Sequence, residues 1–179
     1  MVYTIAMLEL TEENVRKIMD GYGNDPQQLI AILLDIQSTS GKNCVEQRWA
    51  VLVSKVLNVP LSKIYDVLTF YAMFSTVKRG QFVVEICQST PCHFTKAGEV
   101  VKWFEAAAGI KTGETTADGK ITLLRTSCVG ACDIGPVAKI GDHVFGNLTG
   151  EKVKSIIKCC QEGKDESSIW EELESLCQN

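Results

Sequence analysis

The chain carries no run of 18 apolar residues, no cluster of lysine and arginine, and no glycine-rich phosphate loop. Each deficit removes a class of function. Without a long apolar run there is no membrane-spanning helix to expect, so direct membrane insertion is set aside. With 18 Lys plus Arg against 22 Asp plus Glu, a net charge of −4 and no basic block, the electrostatic case for nucleic acid does not start. No G-x-G-x-x-G follows a strand pattern, and neither a Walker loop nor a Ser/His/Asp arrangement can be read. The chain alone is therefore expected to hold no nucleotide and no substrate-converting site. Proline and glycine, at 4 and 14 of 179 residues, are too few for a collagen-like or low-complexity chain. Met1 to Leu10 lacks the positive start and the cleavage site of a signal peptide, which gives a cytoplasmic expectation.

What is there is cysteine. Eight occur, at 44, 87, 92, 128, 132, 159, 160 and 177. A chain of this length buries enough apolar surface to fold without disulfide staples, and cytosolic thiols stay reduced, so clustered cysteines point to metal or redox chemistry. Four are clustered. Cys87 and Cys92 form C-x4-C, Cys128 and Cys132 form C-x3-C, and residues 93 to 127 lie between the pairs.

Periodicity places those pairs. Thr11 is a good N-cap with Leu10 and Val15 as a hydrophobic staple, and Val15, Ile18, Met19 and Tyr22 make the stripe of a first helix. Asp25-Pro26-Gln27-Gln28 opens a second helix whose apolar face runs from Leu29 to Ile36, with a glutamine placed to close a capping box. Val45, Trp49, Leu52, Val53 and Val56 carry a third, which Pro60 stops before Leu61 to Leu68. After the polar Val77 to Gln81 the pattern turns to alternation. Phe82 to Ile86 reads as a strand ending at Cys87, and Phe94, Ala97, Val101, Phe104 and Ala108 mark a helix starting just after Cys92. Lys120 to Thr126 is a second strand, Pro136 to Ile140 and His143 to Phe145 a hairpin, and Thr149 caps a last helix. The expected fold class is α+β, with an N-terminal helical bundle (1–77), a sheet domain (78–163) and an acidic tail (164–179) that folds against a partner.

Both cysteine pairs fall where strands end, so four thiolates can converge at one end of one sheet. Zinc and iron–sulfur clusters both accept four cysteines. Structural zinc usually takes C-x2-C knuckles, whereas the wider loops here suit two irons, one per pair. A [2Fe–2S] cluster on Cys87, Cys92, Cys128 and Cys132 is the preferred reading, and a non-redox binding module with a structural four-cysteine zinc site is the alternative. A thioredoxin-type dithiol needs C-x-x-C, which no two cysteines here supply. Cys44, Cys159, Cys160 and Cys177 read as structural or incidental, and His93 reads as a residue opening the helix rather than as a ligand. The Trp49 stripe and the Tyr65 to Phe74 stretch read first as core.

The residues around the pairs also carry a resemblance. Val84-Glu85-Ile86-Cys87-Gln88-Ser89-Thr90-Pro91-Cys92, Gly113-Glu114-Thr115-Thr116-Ala117-Asp118-Gly119, Cys128-Val129-Gly130-Ala131-Cys132 and Gly146-Asn147-Leu148-Thr149 resemble the thioredoxin-like [2Fe–2S] ferredoxins. Tyr65 to Phe74 is similar to the end of the helical domain in that family's larger members. Those are the small iron–sulfur subunit of the NADH-oxidising module of complex I and its relatives in NAD-linked, including electron-bifurcating, hydrogenases and formate dehydrogenases. The likeness runs from about residue 10 to 162. Gly135 departs from it, standing where the family commonly has Ala.

The resemblance implies a thioredoxin-like four-stranded sheet with the cluster at the position of the thioredoxin cysteines. It also implies a larger flavin- and NAD(P)-binding iron–sulfur subunit as partner, carrying FMN and further clusters, and a further catalytic subunit. Thioredoxin analogy adds a cis Gly135–Pro136 bond. A helix pointing its positive end at the site, and backbone N–H groups around Gly130 and Ala131, would favour the added negative charge of reduction.

Overall fold

The computed structural model describes residues 10–164, 168–169 and 171. Two compact units divide the chain, 1–79 and 80–179. Among the described residues there are seven α-helices and four strands.

The first unit holds α1 (Glu12–Gly21), α2 (Leu29–Thr39), α3 (Gln47–Leu57) and α4 (Leu61–Phe70). Local chemistry sets their ends. The Thr11 hydroxyl accepts from the Asn14 N–H at 3.3 Å, and Glu12 and Glu13 sit at the positive end of α1. The Asp25 carboxylate accepts from the Gln27 N–H at 2.9 Å, but the capping box does not form; Pro26–Gln28 is a 3-10 turn leading into α2. Asn58, at φ +51, ends α3 in the left-handed conformation that asparagine tolerates, and Pro60 caps α4. Val15, Met19, Ile32, Leu33, Ile36, Val53 and Ile64 are fully buried in one apolar cluster. Beyond α4, the Gln37 side chain donates to Met73 O at 2.8 Å and accepts from the Ser75 N–H at 2.8 Å, tying the exit of this unit to α2.

The second unit is built on β1 (Phe82–Cys87), β2 (Ile121–Thr126), β3 (Ala138–Ile140) and β4 (His143–Phe145), in sheet order β2-β1-β3-β4. β1 runs parallel to β2, with Phe82 opposite Ile121 and Cys87 opposite Thr126. Parallel neighbours need a crossover, and α6 (Ala97–Ala108) is that crossover. β3 pairs antiparallel to β1 and to β4. α7 (Gly150–Glu162) follows, with the Thr149 hydroxyl accepting from the Lys152 N–H at 3.3 Å. α6 and α7 pack on each other, and Phe104, Ile156 and Ile157 join Val84, Ile86 and Leu123 in one core. This four-stranded sheet with its helices is the α+β, thioredoxin-like arrangement expected.

Three expectations need correction. The helix expected just after Cys92 is two helices. A short α5 (Thr90–Phe94) contains Cys92, and Lys96 at φ +74 breaks the chain before α6 begins at Ala97. His93 therefore closes a helical turn instead of opening a helix, and Phe94, read as a core position, is 82% exposed because the break takes it off the α6 stripe. Tyr65 to Phe74 is core only in part: Leu68 and Phe74 are buried, while Tyr65, Phe70 and Met73 face solvent. Within the acidic tail, Ile169 is fully buried in the second unit's own core, so this residue needs no partner to pack. Cys177 lies outside the described residues.

Candidate metal centre

Parallel pairing is what brings the cysteines together. β1 and β2 end at the same edge of the sheet, in the register Cys87 opposite Thr126. Cys87 is the last residue of β1, and Cys128 stands two residues beyond the end of β2. Cys92 follows within α5, whose Thr90-Pro91 start suits proline at a first helical turn. Cys132 opens a 3-10 turn, Cys132–Ile134. That turn leads to a cis bond between Gly135 and Pro136, as the thioredoxin analogy implied.

The two pairs differ in exposure. Cys87 and Cys92 are buried, in an apolar cluster with Ala97 and Val137 that Val129, Ala131 and Ile134 pack against. Cys128 and Cys132 are exposed, with their sulfurs 3.4 Å apart. Two thiolates on one tetrahedral metal, each about 2.3 Å from it, would stand about 3.8 Å apart, so this pair is close to single-metal geometry. A donor set arranged as two pairs, on loops that also approach one another, fits a two-iron cluster with one pair on each iron.

Hydrogen bonds converge on the sulfurs. Ser89, between the ligand candidates of the first pair, places its hydroxyl 3.2 Å from Cys87 Sγ, and the same hydroxyl favours the thiolate forms of Cys92 and Cys128. The Gly130 N–H donates to Cys128 Sγ at 3.4 Å. Val129 and Val137 direct their backbone N–H groups to Cys87 and Cys92 respectively. These donors are reflected in acidity. Burial pushes the Cys87 thiol up, but Ser89, Cys92 and Val129 together hold it below its ordinary value. Burial, then the bond to Cys87, raises Cys92. The Gly130 N–H, followed by Cys132 and Ser89, lowers Cys128, whereas Cys132 is raised, chiefly by its bond to Cys128. Each pair thus has one sulfur prepared to carry negative charge.

Gly135 has a reason at this site. A Cβ there would meet Thr95 Oγ1 at 2.9 Å and Cys92 Sγ at 3.6 Å, and Thr95 itself donates to Cys92 O at 3.1 Å. Ser89 and Thr95 had no role in the sequence reading; a small hydroxyl inside C-x4-C was the available signal for Ser89. The Gly113 to Gly119 motif lies away from the cysteines. It folds back on β2 through Leu123 N–H to Glu114 O (3.1 Å) and Thr116 N–H to Ile121 O (2.8 Å). Cys44, Cys159 and Cys160 are buried thiols, the first in the N-terminal unit and the other two in the core beside α7.

A thioredoxin-like sheet whose strand-end loops present two cysteine pairs defines a class of small iron–sulfur proteins. Residues 15–161 match the family described as thioredoxin-like [2Fe–2S] ferredoxin, and the chain belongs to that family. Its cofactor type is accordingly a [2Fe–2S] cluster. The chain is 32% identical over 150 residues to an NADH-quinone oxidoreductase subunit of Rickettsia felis, covering 84% of this chain and 88% of that protein. Against the NADP-reducing hydrogenase subunit HndA of Solidesulfovibrio fructosivorans it is 33% identical over 129 residues, covering 72% and 74%. The fold is also that of part of the NAD+-reducing [NiFe]-hydrogenase crystallised in its air-oxidised state, at a TM-score of 0.69 and 20% identity. That match covers 78% of this chain and only 24% of the other. No helix among the described residues is long and apolar enough to cross a membrane.

Proposed function

We propose that this chain is the electron-transfer subunit of a multi-subunit, flavin-containing NAD(P)H-linked oxidoreductase. Its cluster is held by Cys87 and Cys92 on one iron and by Cys128 and Cys132 on the other. The observation that carries this reading is the delivery of both cysteine pairs to one sheet edge by the parallel pairing of β1 and β2. When bound, such a cluster supplies one-electron storage. The chain's own residues do the rest. The buried Cys87 side keeps water from the site, the exposed Cys128 and Cys132 form the edge open to a partner, and the Ser89, Gly130, Val129 and Val137 donors favour extra negative charge on sulfur.

NAD(P)H gives up a hydride, two electrons at once, so a flavin has to stand between it and a one-electron carrier. FMN and further clusters belong in a larger partner subunit, with a further catalytic subunit beyond it. Two relatives are named as subunits of an NADH-quinone oxidoreductase and of a hydrogenase, which supports this division without choosing between quinone reduction, hydrogen, formate or electron bifurcation. The N-terminal unit is the docking element, and its solvent-facing Tyr65, Phe70 and Met73 support that role.

Purified without air, the chain should contain about two irons and two sulfides and accept one electron. One zinc per chain without labile sulfide would overturn the reading in favour of a structural zinc module. Oxidation of NADH by the chain free of any other polypeptide would overturn the division of labour.

A further inference from the structure

Beside the first cysteine pair, between the end of the sheet and α6, lies a cavity of about 440 Å³. Its size falls within the range of small-molecule sites, about 300–1,000 Å³. Val101 is among its lining residues, and its polar groups are Gln88, His93, Lys102, Arg125 and Glu105. Lys102 and Arg125 reach it from different elements, α6 and β2. Neither has an ion-pair partner among the described residues. The one carboxylate of the lining is already engaged. Glu105 accepts from Lys111 Nζ at 2.8 Å and from the Thr112 N–H and hydroxyl at 3.1 and 2.8 Å. Two cations without a carboxylate partner among the described residues, and the polar side chains of Gln88 and His93, thus line one concave surface.

We infer that this cavity is a binding site for a small polyanion bearing phosphate or carboxylate groups, held by Arg125 and Lys102. Arg125 offers a planar fork that matches either group, and Lys102 offers a point charge. Gln88 follows Cys87 and His93 follows Cys92 in the chain, so the bound negative charge would sit beside the first cysteine pair. On the cluster assignment made above, the occupied site would make reduction harder and shift the midpoint potential down.

The test uses the full chain carrying its cluster, with inorganic pyrophosphate and citrate as probes, in calorimetry at about 0.15 M ionic strength, where unspecific surface attraction is screened. Saturable one-to-one binding is expected, and the stronger probe tells phosphate from carboxylate. Lys102→Ala and Arg125→Ala lie on exposed positions and should each weaken binding roughly tenfold while the visible spectrum stays unchanged. Arg125→Lys should recover part of the loss. Absence of saturable binding, or binding indifferent to both substitutions, would overturn the site. So would protection of Lys102 and Arg125 only by another protein, which would make the groove a protein contact. Calorimetry reads the site without reference to the cluster, whereas failure of the cluster reading would show as zinc in place of iron and sulfide while anion binding persists.

Discussion

Removing one hydroxyl should move the potential of the cluster. Ser89 Oγ stands 3.2 Å from Cys87 Sγ, and a metal-bound thiolate has no proton, so the serine must be the donor. A hydrogen bond to a charged acceptor contributes about 1.5–3 kcal/mol, and only its strengthening on reduction bears on the potential. The negative charge added on reduction would be shared among the sulfurs that such a cluster and its ligands supply, so a change of about 1 kcal/mol at this one bond is a reasonable share. For one electron, 59 mV corresponds to about 1.4 kcal/mol, so Ser89→Ala should lower the midpoint by about 40 mV. The substitution is clean in another respect. Ser89 is the N-cap of α5 yet makes no side-chain cap bond, so alanine loses nothing that holds the helix. Ser89→Thr keeps the hydroxyl and should stay near the parent value. The assay is a redox titration followed by visible absorbance and the reduced-state EPR signal. A shift upward, or one below about 10 mV with the cluster intact, would refute the donor assignment.

Phe104→Ala empties a fully buried position between α6 and the sheet and should cost about 3–5 kcal/mol in urea unfolding. Gly80→Ala would drive a Cβ to 2.7 Å from the Lys120 backbone, next to the 2.6 Å bond from Gly80 N–H to Thr122 Oγ1, and should cost about 1–3 kcal/mol by the same measure. Cys128→Ser should change or abolish the reduced-state EPR spectrum, since oxygen replaces a soft thiolate poorly, whereas Cys44→Ser should lower stability and leave the spectrum alone. Lys111, then Thr112, hold the Glu105 carboxyl down at about 2. Its pKa is depressed in the folded state, so its stabilisation is present above the unfolded value of 4.5 and is lost as pH falls from there through about 2. Glu105→Gln should flatten the loss of stability in that acid window, read by thermal unfolding from about pH 5 down to about pH 2; an unchanged slope would remove Glu105 from the account.

What the sequence could and could not disclose follows from how far apart the deciding contacts lie. Helix starts were legible because Thr11, Asp25 and Thr149 act on N–H groups two or three residues away. The strands were legible because alternation at Phe82, Val84 and Ile86 is a local trace of burial. Strand order was not, since the parallel register of Cys87 with Thr126 joins positions 39 residues apart and depends on where α6 packs. Phe94 was misplaced for the opposite reason: its spacing to Ala97 and Val101 is helical, but a single left-handed residue, Lys96, changes the helix axis between them. Ser89 shows the same limit at the site. Its hydroxyl lowers the pKa of the Cys128 thiol, 39 positions away, and no pattern around residue 89 contains that distance. The cysteine spacing announces that metal chemistry is present because ligand type is a property of residues. The donors that set how readily the site takes an electron are properties of the fold, and they become visible only when β1 and β2 lie side by side.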